Sequence, residues 1–289
     1  MAGGSVTKTD QTMTLQTALQ QGTELLEKRG IAMPRLTAEV LLCHALRSER
    51  VHLYAHSQDE LTENAWIHYG RYLNERLKGK PTQYITQRQE FYGREFRVTP
   101  DVLIPRPETE HLVEAAIQAV KTRHAVKILD VGTGSGAVAV SIALETGIPL
   151  FGCDISSGAL RVAEYNRDKH SAPVAFFAGD LVAAVAPHSL DLLVSNPPYV
   201  PGADEANMQQ EVRDWEPHIA LFAGETGLEI YRQLIEQAEI VVKQGGQLMM
   251  ELGYQSLSGV REMLADGWTE IDVVHDLAGW PRVIMAARV

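Results

Sequence analysis

An α/β architecture preceded by a small helical bundle is what three features of this 289-residue sequence predict. From Val126 onward, short apolar runs alternate with helix-length stretches, the pattern of a mostly parallel sheet with helices on both faces. A glycine-rich loop, Gly132-Thr133-Gly134-Ser135-Gly136, follows the first of those runs, where a doubly wound sheet turns back into a helix. The first ~85 residues show helical spacing and no period-2 strand pattern.

The elements are read in chain order. Residues Met1 to Met13 are small and polar and read as a frayed tail without the apolar stretch of a signal peptide. Leu15, Ala18, Leu19, Leu25 and Leu26 recur at helical spacing, and Ala38, Leu41, Leu42, Ala45 and Leu46 do so again after Pro34. A third stretch, Leu61 to Leu77, puts Trp66, Tyr69, Tyr72, Leu73 and Leu77 on one face, read as core. Around Gly93, Tyr84-Ile85, Phe91-Tyr92 and Phe96-Arg97-Val98 alternate as a hairpin would. Ile104-Pro105-Arg106-Pro107-Glu108 is stiff, because each proline fixes its own φ and holds its predecessor extended. A helix carrying Leu112, Val113, Ala116, Ile117 and Val120 follows.

Strands are then expected at Val126–Val131, Pro149–Cys153, Val174–Phe177, Leu190–Ser195 and Gln247–Glu251, with Glu270–Val274 and Arg282–Val289 near the end. Helices are expected at Gly136–Glu145, Gly158–Asp168, Leu228–Val242 and Ser256–Leu264. The expected organisation is a helical domain over 1–85, a hairpin linker over 86–105 and the α/β domain over 106–289.

Composition excludes several classes. Apolar residues make up 45%, enough for a sizeable core, and no run reaches the ~18 apolar residues of a membrane span. The two cysteines, Cys43 and Cys153, form no disulfide framework and read as reduced, buried thiols of a cytoplasmic protein. No Cys/His cluster has metal-ligand spacing, so no metal is expected. The net charge of −11 is uneven: residues 1–95 carry 12 Lys and Arg against 11 Asp and Glu, and residues 96–289 carry 14 against 26. So acidic a larger half suits a basic protein partner or plain solubility, and is a poor non-specific binder of nucleic acid.

Glycines are needed where a backbone turns tightly and lets a ligand approach. The loop after the first strand is such a place, and Asp154 ends the second strand 22 residues after Gly132, where a carboxylate can accept from two ribose hydroxyls. Gly-x-Gly-x-Gly suits S-adenosylmethionine. With Ala137 the same loop satisfies Gly-x-Gly-x-x-Ala, which suits NAD.

Asn196-Pro197-Pro198-Tyr199 follows the fourth strand and so should face the same crevice. The prolines stop sheet pairing and lack N–H groups, leaving carbonyl acceptors; Asn196 adds a side-chain acceptor and Tyr199 a flat ring. That set suits gripping a planar –NH2 group between the Asn196 side-chain oxygen and the Pro197 carbonyl. An amide nitrogen is a weak nucleophile, and two fixed acceptors draw off positive charge as it attacks and aim its lone pair.

On these residues the chain resembles the PrmC/HemK methyltransferases, which modify the glutamine of the Gly-Gly-Gln motif in peptide chain release factors at the amide nitrogen. The likeness covers Phe91-Tyr92-Gly93, Val102 to Glu110 with its Ile-Pro-Arg-Pro-Glu-Thr-Glu block, the glycine loop, Asn196 to Tyr199, Glu216-Pro217, Ala220-Leu221, Gly227-Leu228, Tyr231-Arg232, and Asp276 to Gly279 with Arg282. It implies a class I, Rossmann-like methyltransferase domain with a seven-stranded, mostly parallel sheet whose last strand is antiparallel. It also implies an N-terminal helical domain that helps hold the release factor. Carried over by position, Gly132, Thr133, Gly134, Ser135 and Gly136 line the methionine part of S-adenosylmethionine, Asp154 binds its ribose, and Asp180 and Leu181 flank its adenine. Asn196, Pro197 and Tyr199 are the catalytic set; Pro198 joins them at the substrate and Asn196 also borders the cofactor. Gln87 stands where the family often has glycine, and Leu181 where some members have an aromatic residue. Arg106 and its block have two readings, a cover over the cofactor or an Arg106–Glu108 ion pair at the domain junction.

Adenine-N6 methylation of nucleic acid is the alternative, since the same acceptors can hold an exocyclic base amine. An NAD-dependent oxidoreductase has no use for an amide grip, and a non-catalytic cofactor-binding adaptor has no use for Asn196. The protein is expected to be a monomer with no membrane or direct nucleic-acid partner.

Overall fold

The computed structural model describes residues 13–289, so the polar tail read at the start of the chain lies, Met13 apart, outside the described residues. Packing divides the chain into two compact units, Met1–Thr86 and Gln87–Val289.

The first unit is helical: α1 (Leu15–Lys28), α2 (Pro34–Leu46), α3 (Arg50–Ala55), α4 (Glu63–Leu77) and α5 (Thr82–Thr86). Thr14 and Thr62 cap α1 and α4 by accepting the N–H groups of Thr17 and Ala65. Pro34 opens α2, where its missing N–H has no helical partner to lose. Leu15, Leu19 and Leu26 of α1 meet Ala38, Leu41 and Leu42 of α2 and Tyr69 and Leu73 of α4 in one core. Trp66 departs from the expected stripe and stays 36% exposed. The buried stripe of α4 runs Ala65, Tyr69, Leu73, Arg76, and Trp66 is turned by ~100° from Ala65.

The second unit opens with the hairpin β1 (Arg88–Phe91) and β2 (Arg94–Arg97). Its two-residue turn, Tyr92-Gly93, takes φ 49° and 67°, the conformation that matches the twist of the flanking strands. Gln87, just before it, has φ 57°, a left-handed conformation that glycine adopts freely. The hairpin, expected as a linker, belongs to the same unit as the sheet.

That sheet is built from β3 (Ile128–Val131), β4 (Leu150–Asp154), β5 (Val174–Ala178), β6 (Leu190–Ser195), β9 (Val242–Glu251), β10 (Trp268–His275) and β11 (Pro281–Arg288). The pair β7 (Val200–Pro201) and β8 (Phe222–Gly224) forms a separate two-stranded parallel ribbon. The helices of this unit are α6 (Glu110–Arg123), α7 (Ala137–Thr146), α8 (Ser157–His170), α9 (Gln210–Trp215), α10 (Glu229–Val241) and α11 (Leu257–Met263). The strand order is β10-β11-β9-β6-β3-β4-β5. The pairs from β9 through β5 are parallel, and β11 is antiparallel to both its neighbours, as the seven-stranded expectation requires.

Alternation of side chains sorts the sheet into two cores. Ile128, Leu192, Val194 and Met249 pack with α6 and α7 on one face; Leu129, Val131, Leu193, Leu248 and Met250 pack with α10 on the other. Covering both faces explains why β3 and β6 read as continuous apolar runs. Each fully buried Leu or Ile contributes about 1.5–3 kcal/mol. Strand β3 lies between β4 and β6, so the order reverses beside it and a crevice opens at the carboxyl ends of these strands. Among the described residues no helix is long and apolar enough to cross a membrane. Cys43 and Cys153 are both free and buried.

Candidate active site

At that crevice lies a cavity of about 310 Å³, the scale of small-molecule sites. The glycine loop forms its floor. Gly132, Gly134 and Gly136 have φ 70°, 55° and 78°, which a side chain would strain. The Thr133 N–H donates to the Cys153 carbonyl at 2.9 Å, which ties the loop to the end of β4. A Cβ at Gly132 would meet nothing within 4 Å.

Asp154 is held by backbone. Its Oδ2 accepts the Gly134 N–H at 2.9 Å and its Oδ1 accepts the Ser156 N–H at 2.8 Å. A carboxylate oxygen carries two lone pairs, so both oxygens retain an acceptor site. Asp180 and Leu181 line the cavity on the same side, and Leu181 turns there with φ 47°.

Asp130 lies beneath the loop, 2% exposed, and accepts the Thr133 hydroxyl at 2.7 Å. Burial pushes its carboxyl up to about 7; the Thr133 bond opposes this and the neighbouring Asp154 charge adds to it. Asp130 was not among the site residues that the sequence suggested. Its signal is a carboxylate inside an otherwise apolar strand, between Leu129 and Val131.

The Asn196 to Tyr199 segment leaves β6 at the other wall. Asn196 and Pro198 line the cavity together with Gly132, Thr133, Gly134, Ser135 and Asp154. Gly136, Pro197 and Tyr199 stand behind that lining. Gly136 packs against α8, where a Cβ would lie 3.1 Å from that of Ala163. Pro197 is buried. Tyr199 lies over Gly253, where a Cβ would be 2.5 Å from the ring; burial raises its phenol well above the ordinary range, and the Glu251 charge adds to this. The Asn196 Nδ2 donates to Thr109 Oγ1 at 3.1 Å.

The proline block supplies the lid of the same cavity through Asp101, Val102, Leu103, Pro105, Arg106 and Thr109. Arg106 lines the cavity, and its ion-pair partner is Glu216 rather than Glu108. Arg106 donates to Glu216 Oε1 at 2.5 Å, and the Ile104 N–H donates to Glu216 Oε2 at 3.2 Å. Glu216 is 3% exposed, so one buried carboxylate pins the block to the segment after α9. Glu108 instead faces Arg282 at 4.0 Å. Two further residues escaped the sequence reading as site groups, Thr109 and Glu251. Glu251 ends the apolar run Leu248-Met249-Met250 and is 3% exposed; burial pushes its carboxyl up to about 7, opposed by a hydrogen bond from Thr109.

Asp101, Asp154, Asp180 and Arg106 are the charged side chains lining the cavity, beside Asp130, whose burial favours its neutral form. Such a lining favours a ligand with positive charge over one with a pyrophosphate. Among the described residues no group of three or more His, Cys, Asp or Glu side chains could hold a metal ion.

Comparison with known proteins bears on what this site is. Residues 17–86 match the family model of the PrmC N-terminal domain, and residues 110–213 that of the methyltransferase small domain. The hMettl16 catalytic domain, solved in complex with the MAT2A 3'UTR hairpin 6, shares the fold with a TM-score of 0.55 at 15% identity, over 75% of this chain and 81% of that one. The T. thermophilus 16S rRNA N2 G1207 methyltransferase RsmC, in complex with AdoMet and guanosine, does so with a TM-score of 0.51 at 16% identity, over 70% and 50%. At these identities the likeness is one of fold, the class I methyltransferase fold. The release factor glutamine methyltransferase of Koribacter versatilis is 42% identical over 96% of this chain and 99% of its own length. That of Nitratidesulfovibrio vulgaris is 38% identical over 95% of each. Relatives this similar, matched nearly from end to end across helical unit and sheet alike, place the chain in the family of release factor glutamine methyltransferases.

Proposed function

We propose that this protein transfers a methyl group from S-adenosylmethionine to the side-chain amide nitrogen of the glutamine in the Gly-Gly-Gln motif of peptide chain release factors. The observation that carries this reading is the placement of the Asn196 side chain on the wall of an acidic cavity whose floor is the glycine loop. The names of the relatives at 38–42% identity support the same substrate.

The residues present fit the cofactor. A sulfonium and an ammonium group both carry positive charge, and Asp101, Asp154 and Asp180 offer carboxylates where NAD would need cations. Asp154, fixed through Gly134 and Ser156, keeps an acceptor site on each oxygen for a ribose hydroxyl. Gly132 and Gly134 let the backbone approach without a side chain intervening. When bound there, S-adenosylmethionine supplies an electrophilic methyl group on sulfur and leaves as S-adenosylhomocysteine.

The chain's own residues then act on the substrate. The Asn196 oxygen and the Pro197 carbonyl accept the two N–H bonds of the glutamine amide and hold its plane. As nitrogen forms its bond to carbon, these acceptors stabilise the positive charge that develops, and one N–H proton passes to water. Tyr199 packs beside the amide as a neutral phenol. The segment from Asp101 to Thr109 bounds the same cavity on the side opposite the glycine loop's own turn and helps to hold the reactants in place. The helical unit helps to hold the release factor, and the acidic excess of residues 96–289 favours encounter with a basic partner. The protein works as a monomer in the cytoplasm.

Mass spectrometry of a purified bacterial release factor, after incubation with this protein and S-adenosylmethionine, tests the reading. A gain of one CH₂ on the Gly-Gly-Gln peptide supports it. An unmodified release factor together with labelled adenine in nucleic acid would replace it with the base-methylation alternative.

A further inference from the structure

Strand β2 ends on backbone groups that its own hairpin does not satisfy. The Val98 N–H donates to the Gln87 carbonyl at 3.3 Å. Bonded and unbonded pairs alternate along an antiparallel ladder, so the neighbouring pair, Arg97 and Arg88, is an unbonded one, and the N–H and C=O of Arg97 point away from β1. One side chain meets both. Asn166 of α8, 0% exposed, accepts the Arg97 N–H on Oδ1 at 2.7 Å and donates from Nδ2 to the Arg97 carbonyl at 3.0 Å. The same Nδ2 donates to the Ser135 carbonyl of the glycine loop at 2.8 Å.

We infer that Asn166 is a positioning residue that clamps the glycine loop to the foot of the lid and thereby sets the affinity for S-adenosylmethionine. The inference rests on the functional reading above. Asn166 acts through Ser135, which lines the cavity. Only a planar amide suits the place: one acceptor and two donors meet one N–H and two carbonyls. A residue needed only to fill space between α8 and β2 would be apolar, because a buried amide is destabilising unless all its partners are in position.

Each end of the clamp leads to the cavity. On the loop side, the peptide unit from Ser135 to Gly136 is held at both ends. Asn166 takes its carbonyl, and the Thr133 carbonyl takes its N–H at 2.8 Å. Gly136, with φ 78°, is where this backbone rotates most freely, so the bond to Asn166 fixes a carbonyl that the glycine alone would not. On the lid side, the chain runs from Arg97 to Asp101, which lies against Gly158 of the same helix; a Cβ there would be 2.7 Å from Asp101 Oδ1. Asp101, Val102 and Leu103 then line the cavity. Helix α8 is thus a frame on which loop and lid are both mounted, and Asn166 is bonded to each side. A ligand that orders the loop should also quiet Arg97, which lies outside the cavity lining, since opening the clamp releases Ser135 as well.

The test reads the clamp in two ways. In the first, Asn166→Asp and Asn166→Ala are compared with wild type by calorimetric titration with S-adenosylmethionine, by urea midpoint and by methylation of purified release factor. Asn166→Asp keeps the shape and the acceptor for Arg97, but turns an oxygen toward two carbonyls. Each variant should raise cofactor Kd by about 10-fold or more, while kcat at saturating cofactor and KM for release factor stay within about threefold. Folded variants with a lower urea midpoint and the wild-type Kd would reduce Asn166 to a structural residue and overturn the inference, as would a loss of kcat with Kd unchanged. In the second, amide hydrogen exchange of the wild-type protein is followed with and without S-adenosylhomocysteine, which decides the matter where neither variant folds. The Arg97 amide should exchange about 10-fold more slowly with ligand, and the Arg94 amide at the turn end of β2 should change by less than about twofold. An Arg97 amide that responds no more than that of Arg94 would overturn the clamp. Neither Kd nor exchange involves release factor, so a wild-type protein that binds cofactor and leaves release factor unmodified would overturn the functional reading alone.

Discussion

The Asp154 carboxylate accepts the Gly134 N–H at 2.9 Å, so the end of β4 and the loop after β3 are one rigid body. The same carboxylate holds the Ser156 N–H at 2.8 Å, at the start of α8. A residue read from sequence as a ligand for ribose is thus also the brace of the glycine loop.

Replacing Asp154 with Ala should therefore harm cofactor binding twice, by removing acceptors and by loosening the loop. Hydrogen bonds to a charged group are worth about 1.5–3 kcal/mol each. The expected rise in Kd for S-adenosylmethionine is about 10- to 100-fold, read by calorimetric titration. Unchanged affinity would remove Asp154 from the site.

Asn196→Ala should abolish methylation and leave cofactor affinity within a few-fold. The side chain lies on the cavity wall and touches Thr109, whereas the loop and Asp154 are bonded to each other without it. Collapse of cofactor binding in this variant would contradict the division of roles.

Glu216 is the hidden fastening of the lid. Glu216→Ala strands the Arg106 guanidinium and leaves the buried Ile104 N–H without its acceptor. The loss of stability should be about 2–4 kcal/mol, seen in the urea midpoint, with cofactor affinity falling alongside. A variant as stable as wild type would show that the lid is held by packing alone.

Asp130 has a sign that can be worked out. Its folded carboxyl titrates near 7 against 3.8 for the free group, so between these values the folded state binds more protons than the unfolded one. Unfolding free energy then falls as pH rises through that window. Asp130→Asn removes this contribution, so its stability should decline less than that of wild type between about pH 4 and pH 7. Parallel urea-stability curves for the two proteins across this range would mean that Asp130 is not held in its neutral form.

Much of the fold was legible because burial on two faces leaves a simple trace. Leu190 to Ser195 and Val126 to Val131 read as strands because helices cover both sides of the sheet, and the helices between them show their stripes. The glycine loop and Asp154 were legible because tight turns and strand ends restrict residue type. The segment from Val200 to Gly224 was not: its strands are two and three residues long, too short for any period to appear. Trp66 was misplaced because one residue of rotation separates a core position from the rim.

The sequence by itself determined the class of the fold, the loop, the strand-end carboxylate and the Asn196 motif, since local backbone demands and a repeating apolar pattern are written in neighbouring residues. Only the tertiary structure decided which partners those groups have. Arg106 and Glu216 are 110 residues apart, and Asn196 and Thr109 are 87 apart. Their hydrogen bonds follow from where the strand ends and the proline block converge, and no local pattern encodes that convergence. The charge that Glu251 and Asp130 carry was likewise settled there, because burial, which sets the cost of a charge, is a property of the packed chain.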